Sequence, residues 1–275
     1  MKESPPAIFA LFGNPVGHSL SPLMHNAAYH KMGINASYVP CCVENPEEAI
    51  ERIKERSIRG ASVTIPFKTA VMPYLDEVED SARTIGAVNT IWHDDKGRLT
   101  GYNTDWIGVV LGLEQSLVIQ GKTFAILGAG GAARAIVFGI LHKGGIPLIL
   151  NRTTTRGAEM AQEFGCPFYH LSEIGGISAD CLINTTPVGM TPEKGKSPIA
   201  KEVLTNFRWV MDCIYNPLKT QLLQDAEEAG CTALNGVGMF VHQGAEQIKI
   251  WTGKEPPREF MRQVVLDKLG AQDGD

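Results

Sequence analysis

The sequence predicts an α/β fold with two domains, and three observations lead to this prediction. Short apolar runs alternate with helical stretches through the first hundred residues. After Asp105 an apolar helix begins, and strands and helices then alternate regularly to about residue 235. That alternation is typical of a doubly wound parallel sheet, and two further helical stretches follow it. We therefore expect domain boundaries near residues 105 and 237.

The composition is that of an ordinary globular protein. Of the 275 residues, 44% are hydrophobic and 20% charged, which is too apolar for a disordered chain. Because 25 Lys and Arg face 30 Asp and Glu, the net charge of −5 creates no field that would gather nucleic acid or an anionic membrane. We expect any anionic ligand to be held by a few placed cations.

The cysteines and the N-terminus indicate a reducing compartment. None of the six cysteines forms a Cys-x-x-Cys pair, and four lie in apolar runs, so we expect reduced core residues. No group of residues has metal-ligand spacing, and we expect no metal. Without a leader or a run of eighteen apolar residues, a soluble cytoplasmic protein is expected. The sequence leaves the oligomeric state open, and a homodimer is one state that it permits.

Apolar periodicity and end signals predict the individual elements. Strands are expected at 8–12, 37–43, 62–65, 87–92, 123–127, 147–150, 181–184, 209–212 and 232–234. Helices are expected at 22–32, 46–56, 105–117, 238–252 and 257–269. Ser21 before Pro22 is expected to cap the first helix, and Asn45 the second, with Glu48 as its capping-box partner. A hairpin turn is expected at 94–97.

A glycine-rich turn lies between the strand at 123–127 and an apolar helix. The segment 128–133 reads Gly-Ala-Gly-Gly-Ala-Ala, a G-x-G-x-x-G pattern with alanine at its sixth position. Glycines at this place let the backbone turn sharply and approach a pyrophosphate, which the N-terminus of the next helix attracts. An ordinary tight turn is the alternative. The strand and helix context favours a Rossmann dinucleotide-binding domain.

The end of the next strand indicates which dinucleotide binds. Asn151, Arg152 and Thr153 stand there, with Arg156 beyond, and no acidic residue is present to receive a ribose hydroxyl as in NAD-binding folds. A guanidinium matches two phosphate oxygens and stays charged, so Arg152 favours the 2′-phosphate of NADP. The alternative is that the two arginines form a solvated face at a helix start.

Polar clusters occur where loops leave the predicted strands of the first domain. They occupy 13–22, 64–68, 86–90 and 101–105. Hydroxyls and amides at such positions suit a small polyhydroxylated substrate. Reduction of a ketone needs a proton donor, and Lys68 beside Asp105 could supply it. Taken singly, Lys68 could be a surface lysine and Asp105 a helix cap.

These motifs together resemble those of shikimate dehydrogenases. The matching segments include His18-Ser19-x-Ser21-Pro22-x-x-His25-Asn26, Val63-Thr64-x-Pro66-x-Lys68, Asn103-Thr104-Asp105, Asn151-Arg152-Thr153, Tyr215-Asn216-Pro217 and Gly236-x-Gly238-Met239-x-x-x-Gln243. They span nearly the whole chain and occur in the family's order. The family comprises NADP-dependent enzymes that interconvert 3-dehydroshikimate and shikimate in aromatic amino-acid (chorismate) biosynthesis.

The resemblance implies a role for each matching residue. Lys68 and Asp105 would be the catalytic acid–base pair. The substrate would be held by Ser19, Ser21, Thr64, Asn89, Asp105, Tyr215 and Gln243. NADP would be held by Asp80, Gly128, Ala129, Gly130, Gly131, Ala132, Asn151, Arg152, Thr153, Arg156, Cys213, Gly236 and Met239. The family's substrate-binding domain would comprise 1–105 plus 238–275, its NADP-binding domain 106–237, with a cleft between them.

Two alternatives remain beside this hypothesis. Some relatives use NAD and accept quinate, although Arg152, Ser19 and Ser21 favour NADP and shikimate here. A non-catalytic metabolite sensor is the other alternative, and the presence of both Lys68 and Asp105 argues against it. The polar loop 187–198 could close on the cofactor or merely connect two elements.

Overall fold

A computed structural model describes residues 5–192 and 194–272 of the chain, with the side chain of Gln272 left aside. These residues form two compact units. Unit 1 comprises the described residues up to Thr104 together with those from Val241 onward, and unit 2 comprises those of Asp105–Phe240.

Unit 1 contains a mixed six-stranded sheet with helices around it. Its strands are β1 (Ala7–Gly13), β2 (Ala36–Cys42), β3 (Gly60–Val63), β4 (Glu77–Val78), β5 (Thr90–His93) and β6 (Leu99–Tyr102). Its helices are α1 (Ser21–Lys31), α2 (Pro46–Glu55), α3 (Asp80–Ile85) and α9 (Arg258–Gln272), and α8 (Val237–Thr252) belongs to it from Val241 onward.

The sheet of unit 1 has the strand order β2-β1-β3-β5-β6-β4. β1 pairs in parallel with β2 and β3, whereas β5 is antiparallel to both β3 and β6. The carboxyl ends of β1, β3 and β6 and the amino end of β5 therefore share one edge of the sheet. The turn at 94–97 joins β5 to β6 as the predicted hairpin.

Local signals explain how the helices of unit 1 begin. Asn45 caps α2 as predicted, because its side chain accepts a hydrogen bond from the Glu48 backbone N–H at 2.9 Å. The predicted Ser21 cap is wrong: Ser21 is the first residue of α1, and Leu20 occupies the cap without a side-chain bond. The Ser21 backbone N–H, like the other N–H groups of the first helical turn, has no carbonyl partner within the helix. It instead donates to the hydroxyl of Ser19, two residues earlier.

Two of the predicted strands in unit 1 are displaced. The strand expected at 62–65 is β3 and ends at Val63, because the next residues turn through Thr64 to Phe67. The strand expected at 87–92 is β5 and begins only at Thr90. The preceding helix α3 ends on Gly86, which adopts a left-handed conformation, and this leaves Ala87 to Asn89 as the connection.

Unit 2 contains a fully parallel six-stranded sheet with helices on both faces. Its strands are β7 (Thr123–Leu127), β8 (Ile146–Asn151), β9 (Phe168–His170), β10 (Ala179–Asn184), β11 (Phe207–Asp212) and β12 (Thr232–Leu234). Its helices are α4 (Asp105–Glu114), α5 (Gly131–His142), α6 (Thr154–Phe164), α7 (Gln221–Glu228) and the first turn of α8.

The strand order of unit 2 is β9-β8-β7-β10-β11-β12. This is the order 3-2-1-4-5-6 of the Rossmann fold, which confirms the predicted fold class. The order reverses between β7 and β10, the place where such folds bind ligands. Each face is covered by an apolar cluster, one built around Val109 and Ile136 and the other around Leu182 and Leu222.

All six cysteines carry free thiols. Cys41, Cys181 and Cys231 are buried as expected, whereas Cys166 and Cys213 are half-buried. The expectation of a core position is wrong for Cys42, which is exposed at the end of β2. Successive side chains of a strand point to opposite faces, so only one of the two neighbouring cysteines can enter the core.

Candidate active site

Several of the polar residues predicted to bind substrate lie at one edge of the unit 1 sheet, where β1, β3 and β6 end and β5 begins. Thr64 follows β3, Asn89 precedes β5, and Asn103 and Thr104 follow β6. Backbone hydrogen bonds hold these segments to the neighbouring strands, since the Thr64 N–H donates to the Phe12 carbonyl of β1 at 2.8 Å and the Asn89 N–H to the Tyr102 carbonyl of β6 at 3.1 Å. The pairing pattern thus brings residues from distant parts of the sequence to one edge.

Asn89 is a buried polar side chain at this edge, with 2% of its surface exposed. Its Oδ1 accepts from the backbone N–H of Thr104 at 2.8 Å and from the Thr90 hydroxyl at 2.7 Å. Its Nδ2 donates to the Thr104 hydroxyl at 3.0 Å and to Oε1 of Gln243 at 3.4 Å. Asn89 and Gln243, both predicted to bind substrate, are therefore in contact within unit 1.

The backbone of Lys68 is hydrogen-bonded to that of Val88, the residue before Asn89. Its carbonyl accepts from the Val88 N–H at 2.7 Å, which fastens the Lys68 turn to the residue before Asn89. The side chain is half-buried. The ammonium therefore extends from a rigid turn at this edge rather than from a free loop.

Ser19 and Ser21 follow β1 at the same edge of the sheet. Their hydroxyls are 3.1 Å apart, with Ser19 donating to Ser21, and Ser21 is 7% exposed. The two predicted substrate residues thus form one pair whose spacing the helix start determines.

Asp105 and Tyr215 belong to unit 2. Asp105 is the first residue of α4 and is 4% exposed. The ring of Tyr215 stacks on that of Phe240, with centroids 4.1 Å apart. Asp105 thus stands at a helix start, and the ring of Tyr215 is held by its contact with α8.

The glycine-rich turn follows β7 at the point where the strand order reverses. Gly128 has φ +115°, and a Cβ there would lie 2.4 Å from Oγ1 of Thr185, so only glycine fits. A Cβ on Gly130, the N-cap of α5, would meet no atom within 4 Å, which leaves open space at the helix start. Because the first turn of α5 contains no acidic residue, its N-terminus suits an anionic group.

The end of β8 presents cations to solvent. Arg152 and Arg156 are exposed, and within the described residues neither forms an ion pair with a carboxylate. Nδ2 of Asn151 donates to the Thr153 carbonyl at 2.9 Å, and Nε2 of His170 lies 3.0 Å from the Arg152 carbonyl. The turn is therefore ordered while its guanidinium groups remain available for a phosphate.

His170 is a residue that the sequence reasoning missed. A carbonyl only accepts, so Nε2 of His170 carries the proton that reaches Arg152, and Nδ1 accepts from the Ser172 N–H at 3.3 Å. Because β9 was not predicted, no sequence signal placed His170 beside the Asn151 strand end.

A buried polar cluster at the ends of β10 and β11 was also missed. Asp212 accepts from Asn184 at 3.0 Å, from the Ile214 N–H at 3.0 Å and from Thr220 at 2.7 Å. Burial raises the pKa of Asp212 to about 6, although these hydrogen bonds act in the opposite direction. The cluster fixes the backbone on which Cys213 and Tyr215 stand. A polar residue ending each of two apolar strands was its only sequence signal.

The remaining predicted cofactor residues lie in different surroundings. A Cβ on Gly236 would lie 2.4 Å from the Cys213 carbonyl, so Gly236 allows a close approach of two backbones. Met239 is 7% exposed and packs in the core of unit 2. Asp80, by contrast, is on the exposed start of α3 in unit 1 and pairs with Arg83 at 2.8 Å.

The loop 187–198 is tied to the segment after β11. The Thr191 N–H donates to the Asn216 carbonyl at 3.3 Å, and its hydroxyl lies 3.3 Å from Oδ1 of Asn216. Glu193, within this loop, lies outside the described residues. Whether the loop closes on a cofactor stays a prediction.

Metal and membrane features can be tested over the described part of the chain. No group of three or more His, Cys, Asp or Glu side chains there could hold a metal ion. Among the same residues, no helix combines the length and the apolar character needed to cross a bilayer.

The fold and the edge residues define an α/β protein with a dinucleotide-binding fold, and comparison with known proteins gives its family. Residues 11–91 match the model "Shikimate dehydrogenase substrate binding domain", and residues 236–266 match "Shikimate 5'-dehydrogenase C-terminal domain". The shikimate dehydrogenase (NADP(+)) of Pyrococcus abyssi is 43% identical over 96% of this chain and 98% of its own. The chain therefore belongs to the shikimate dehydrogenase family, as the motifs predicted.

Solved structures agree with this assignment. A crystal structure of a shikimate dehydrogenase in complex with NADP+ superimposes with a TM-score of 0.89, at 42% identity and covering 96% of both chains. The Thermus thermophilus enzyme in complex with NADP(H) and shikimate gives a TM-score of 0.86 at 35% identity, covering 95% of this chain and 99% of its own.

Proposed function

We propose that this chain is an NADP-dependent shikimate dehydrogenase that reversibly reduces 3-dehydroshikimate to shikimate in aromatic amino-acid (chorismate) biosynthesis. The observation that carries the proposal is the part-buried hydrogen bond of Asn89 to Gln243 in a chain that matches NADP(+) shikimate dehydrogenases over almost its full length. We propose the substrate-binding role for 1–105 plus 238–275, the NADP-binding role for 106–237, and the cytoplasm as the location.

The residues of unit 2 fit NADP. The left-handed Gly128 and the open space at Gly130 leave room for a pyrophosphate at the start of α5. Arg152 and Arg156 offer two exposed cations to the 2′-phosphate, with Asn151 and Thr153 ordering the turn. The backbone around Ala129, Gly131 and Ala132 supplies the N–H donors. Cys213, Gly236 and Met239 are proposed to lie toward the nicotinamide, and Asp80 is proposed as a further contact.

The chain's own groups supply the proton and the orientation. NADPH, when bound, supplies the hydride that adds to the carbonyl carbon of 3-dehydroshikimate. The Lys68 ammonium donates a proton to the carbonyl oxygen, so no free alkoxide forms, and the lysine then regains a proton from water. We assign Asp105 as the second member of the acid–base pair. In the oxidation of shikimate the neutral Lys68 amine accepts the hydroxyl proton.

The substrate's hydroxyls and carboxylate need donors and acceptors in fixed positions. We assign this to Ser19, Ser21, Thr64, Asn89, Asp105, Tyr215 and Gln243. The support is geometric, since hydrogen bonds within the protein join Ser19 to Ser21 and Asn89 to Gln243. Such preorganisation reduces the entropy lost on binding.

A spectrophotometric assay tests the proposal. Purified protein is mixed with shikimate or quinate and with NADP+ or NAD+, and absorbance is followed at about 340 nm, where the reduced nicotinamide absorbs. We expect turnover with shikimate and NADP+, and much lower kcat/KM for the other three pairs. Equal or better rates with NAD+ and quinate would favour a dual-specificity enzyme, and no turnover with any pair would favour a sensor. Light scattering of the same preparation tests for the homodimer.

A further inference from the structure

A buried series of side-chain hydrogen bonds in unit 1 runs from Tyr38 of β2 through β3 and α8 to Asn89. The Tyr38 hydroxyl donates to the Ser62 hydroxyl at 2.6 Å, and the Ser62 hydroxyl donates to Oε1 of Gln247 at 2.7 Å. Nε2 of Gln247 then donates to the Asn89 carbonyl at 3.2 Å and to the Thr90 hydroxyl at 3.0 Å. The Thr90 hydroxyl donates to Oδ1 of Asn89 at 2.7 Å.

Two backbone groups determine the direction of every bond in this series. The Asn89 carbonyl can only accept, so the Gln247 atom facing it must be the amide nitrogen, and Oε1 must face Ser62. The Thr104 backbone N–H can only donate, so the Asn89 atom facing it must be Oδ1. The Ser62 and Thr90 hydroxyls each have one hydrogen. Ser62 must therefore donate its hydrogen to Oε1 of Gln247, and Thr90 must donate its hydrogen to Oδ1 of Asn89. No amide in the series can therefore flip.

Gln247 joins the Tyr38–Ser62 hydrogen bond to the hydrogen bonds around Asn89. It is 1% exposed and stands on α8 one helical turn after Gln243, and it bridges Ser62 of β3 to Thr90 of β5. Its loss would leave the buried Ser62 hydroxyl hydrogen without this acceptor, whereas the Asn89 carbonyl would keep its bond from the Val63 N–H at 2.8 Å. Unpaired buried groups are costly, so the local structure would rearrange.

The fixed direction of these hydrogen bonds determines which group Asn89 presents. Because Oδ1 accepts from Thr104 and Thr90, the group that Asn89 turns toward Gln243 is its amide Nδ2. A ligand oxygen at this place would accept the Nδ2 hydrogen that now points to Oε1 of Gln243 at 3.4 Å. Such a donor recognises an oxygen that can accept, such as a hydroxyl of a polyol, and disfavours a group that can only donate.

We propose that Gln247 is a positioning residue that holds Asn89 with its amide hydrogen toward the substrate, and so makes the site selective for an acceptor oxygen there. This inference rests on the proposed function, which places Asn89 in the substrate site. Gln247 itself acts through Asn89 and Thr90 rather than on the substrate.

The test compares Gln247→Met with wild type and with Ile248→Val. Methionine keeps the length of the side chain but cannot donate or accept as glutamine does. Ile248 is the next residue on α8 and fully buried, so Ile248→Val loosens packing without touching the hydrogen bonds. For Gln247→Met we expect the KM for shikimate to rise about tenfold, since one well-placed hydrogen bond has roughly this effect. The KM for NADP+ should stay within about twofold, and Ile248→Val should change neither.

A double-mutant cycle isolates the route through Asn89. In an Asn89→Ala background, Gln247→Met should add little to the loss in shikimate kcat/KM, because the group that it positions is gone. Additive losses would overturn the proposal, and so would an unchanged shikimate KM in Gln247→Met. An inactive wild type would instead contradict the proposed function. If Gln247→Met does not fold, Ser62→Ala, which removes the donor to Oε1, should raise the shikimate KM alone, and no change would count against the proposal.

Discussion

The imidazole of His25 stacks on the ring of Tyr38, with centroids 4.2 Å apart and planes 17° from parallel. His25 is fully buried, and its Nδ1 lies 2.9 Å from the Ser21 carbonyl. A carbonyl only accepts, so the proton of the neutral ring is on Nδ1. Burial lowers the pKa of His25 from 6.5 to about 4. The stacked pair thus needs a neutral imidazole.

His25→Phe should remove one source of acid sensitivity. Between pH 6.5 and 4 the unfolded histidine binds a proton that the folded one does not, so His25 makes wild-type stability fall as the pH is lowered through this range. Phenylalanine keeps an aromatic ring without titrating. We expect the difference in unfolding free energy, wild type minus variant, to decrease by up to about 3 kcal/mol from pH 7 to 4. Urea denaturation at several pH values measures it, and a difference independent of pH would contradict the prediction.

Gly128→Ala and Gly130→Ala form a matched pair at the glycine-rich turn. Alanine at 128 meets both a left-handed backbone and Thr185, so we expect a loss of about 2 kcal/mol or more in stability. Alanine at 130 enters open space at φ −95°, so the melting temperature should change little. Its methyl group would occupy the proposed pyrophosphate position, and NADP+ affinity should fall. Thermal denaturation and NADP+ titration measure the two effects. Normal NADP+ binding by Gly130→Ala would place the phosphates elsewhere.

Arg152→Ala should change cofactor preference. A guanidinium bound to the 2′-phosphate contributes about 1.5–3 kcal/mol, or roughly ten- to hundredfold in affinity. We expect the KM for NADP+ to rise by that factor while the KM for NAD+ stays nearly constant, since NAD+ lacks this phosphate. Exposed Arg208, which packs over Trp209, provides a control as Arg208→Ala. An equal loss for both cofactors would contradict the assignment.

Lys68→Ala should remove the proton donor. General acid–base groups contribute about a hundred- to ten-thousandfold, so kcat should fall by that range while NADP+ affinity stays near normal. Lys54, on the solvent side of α2, serves as the control in Lys54→Ala. Retention of most of the wild-type kcat in Lys68→Ala would exclude the acid–base role.

Asp212→Asn should alter the pH dependence of stability in the opposite sense to His25. The pKa of Asp212 is raised to about 6, so the folded protein retains a proton that the unfolded chain releases near pH 4. The contribution of Asp212 to the free energy of unfolding is fully present below pH 4 and is lost as the pH rises through 6. The unfolding free energy of wild type minus that of Asp212→Asn should therefore decrease by up to about 3 kcal/mol from pH 4 to 7.5. A difference that grows with pH would show a lowered pKa instead.

The sequence predicts the sheet of unit 2 well because its elements are locally encoded. Five of its six strands are apolar runs between polar turns, and the glycine pattern marks the first crossover. The short edge strand β9 and the helix α3 were missed, since three or six residues give too little periodicity. Ser21 was misassigned as a cap because Ser19 and Ser21 both have the required chemistry, and only the backbone conformation distinguishes them.

The candidate site was predictable as a set of residues but not as a network. Motif positions such as Asn89 and Gln243 can be recognised along the chain. Their connection through Gln247, Ser62 and Thr90 joins residues up to 185 positions apart, and no local pattern encodes it. Asp212 and His170 escaped for the same reason, because strand pairing rather than sequence proximity places them.

The chain order of unit 1 also affects when it can fold during synthesis. The indole N–H of Trp251 donates to the Ile91 carbonyl at 3.0 Å, and its ring fills the space above Gly60. A ribosome therefore releases the amino-terminal strands long before the helix that covers them. The described residues of unit 2, by comparison, emerge as one continuous stretch and can condense first. During that interval the uncovered strands present apolar surface, the state in which chaperones most often engage a nascent chain.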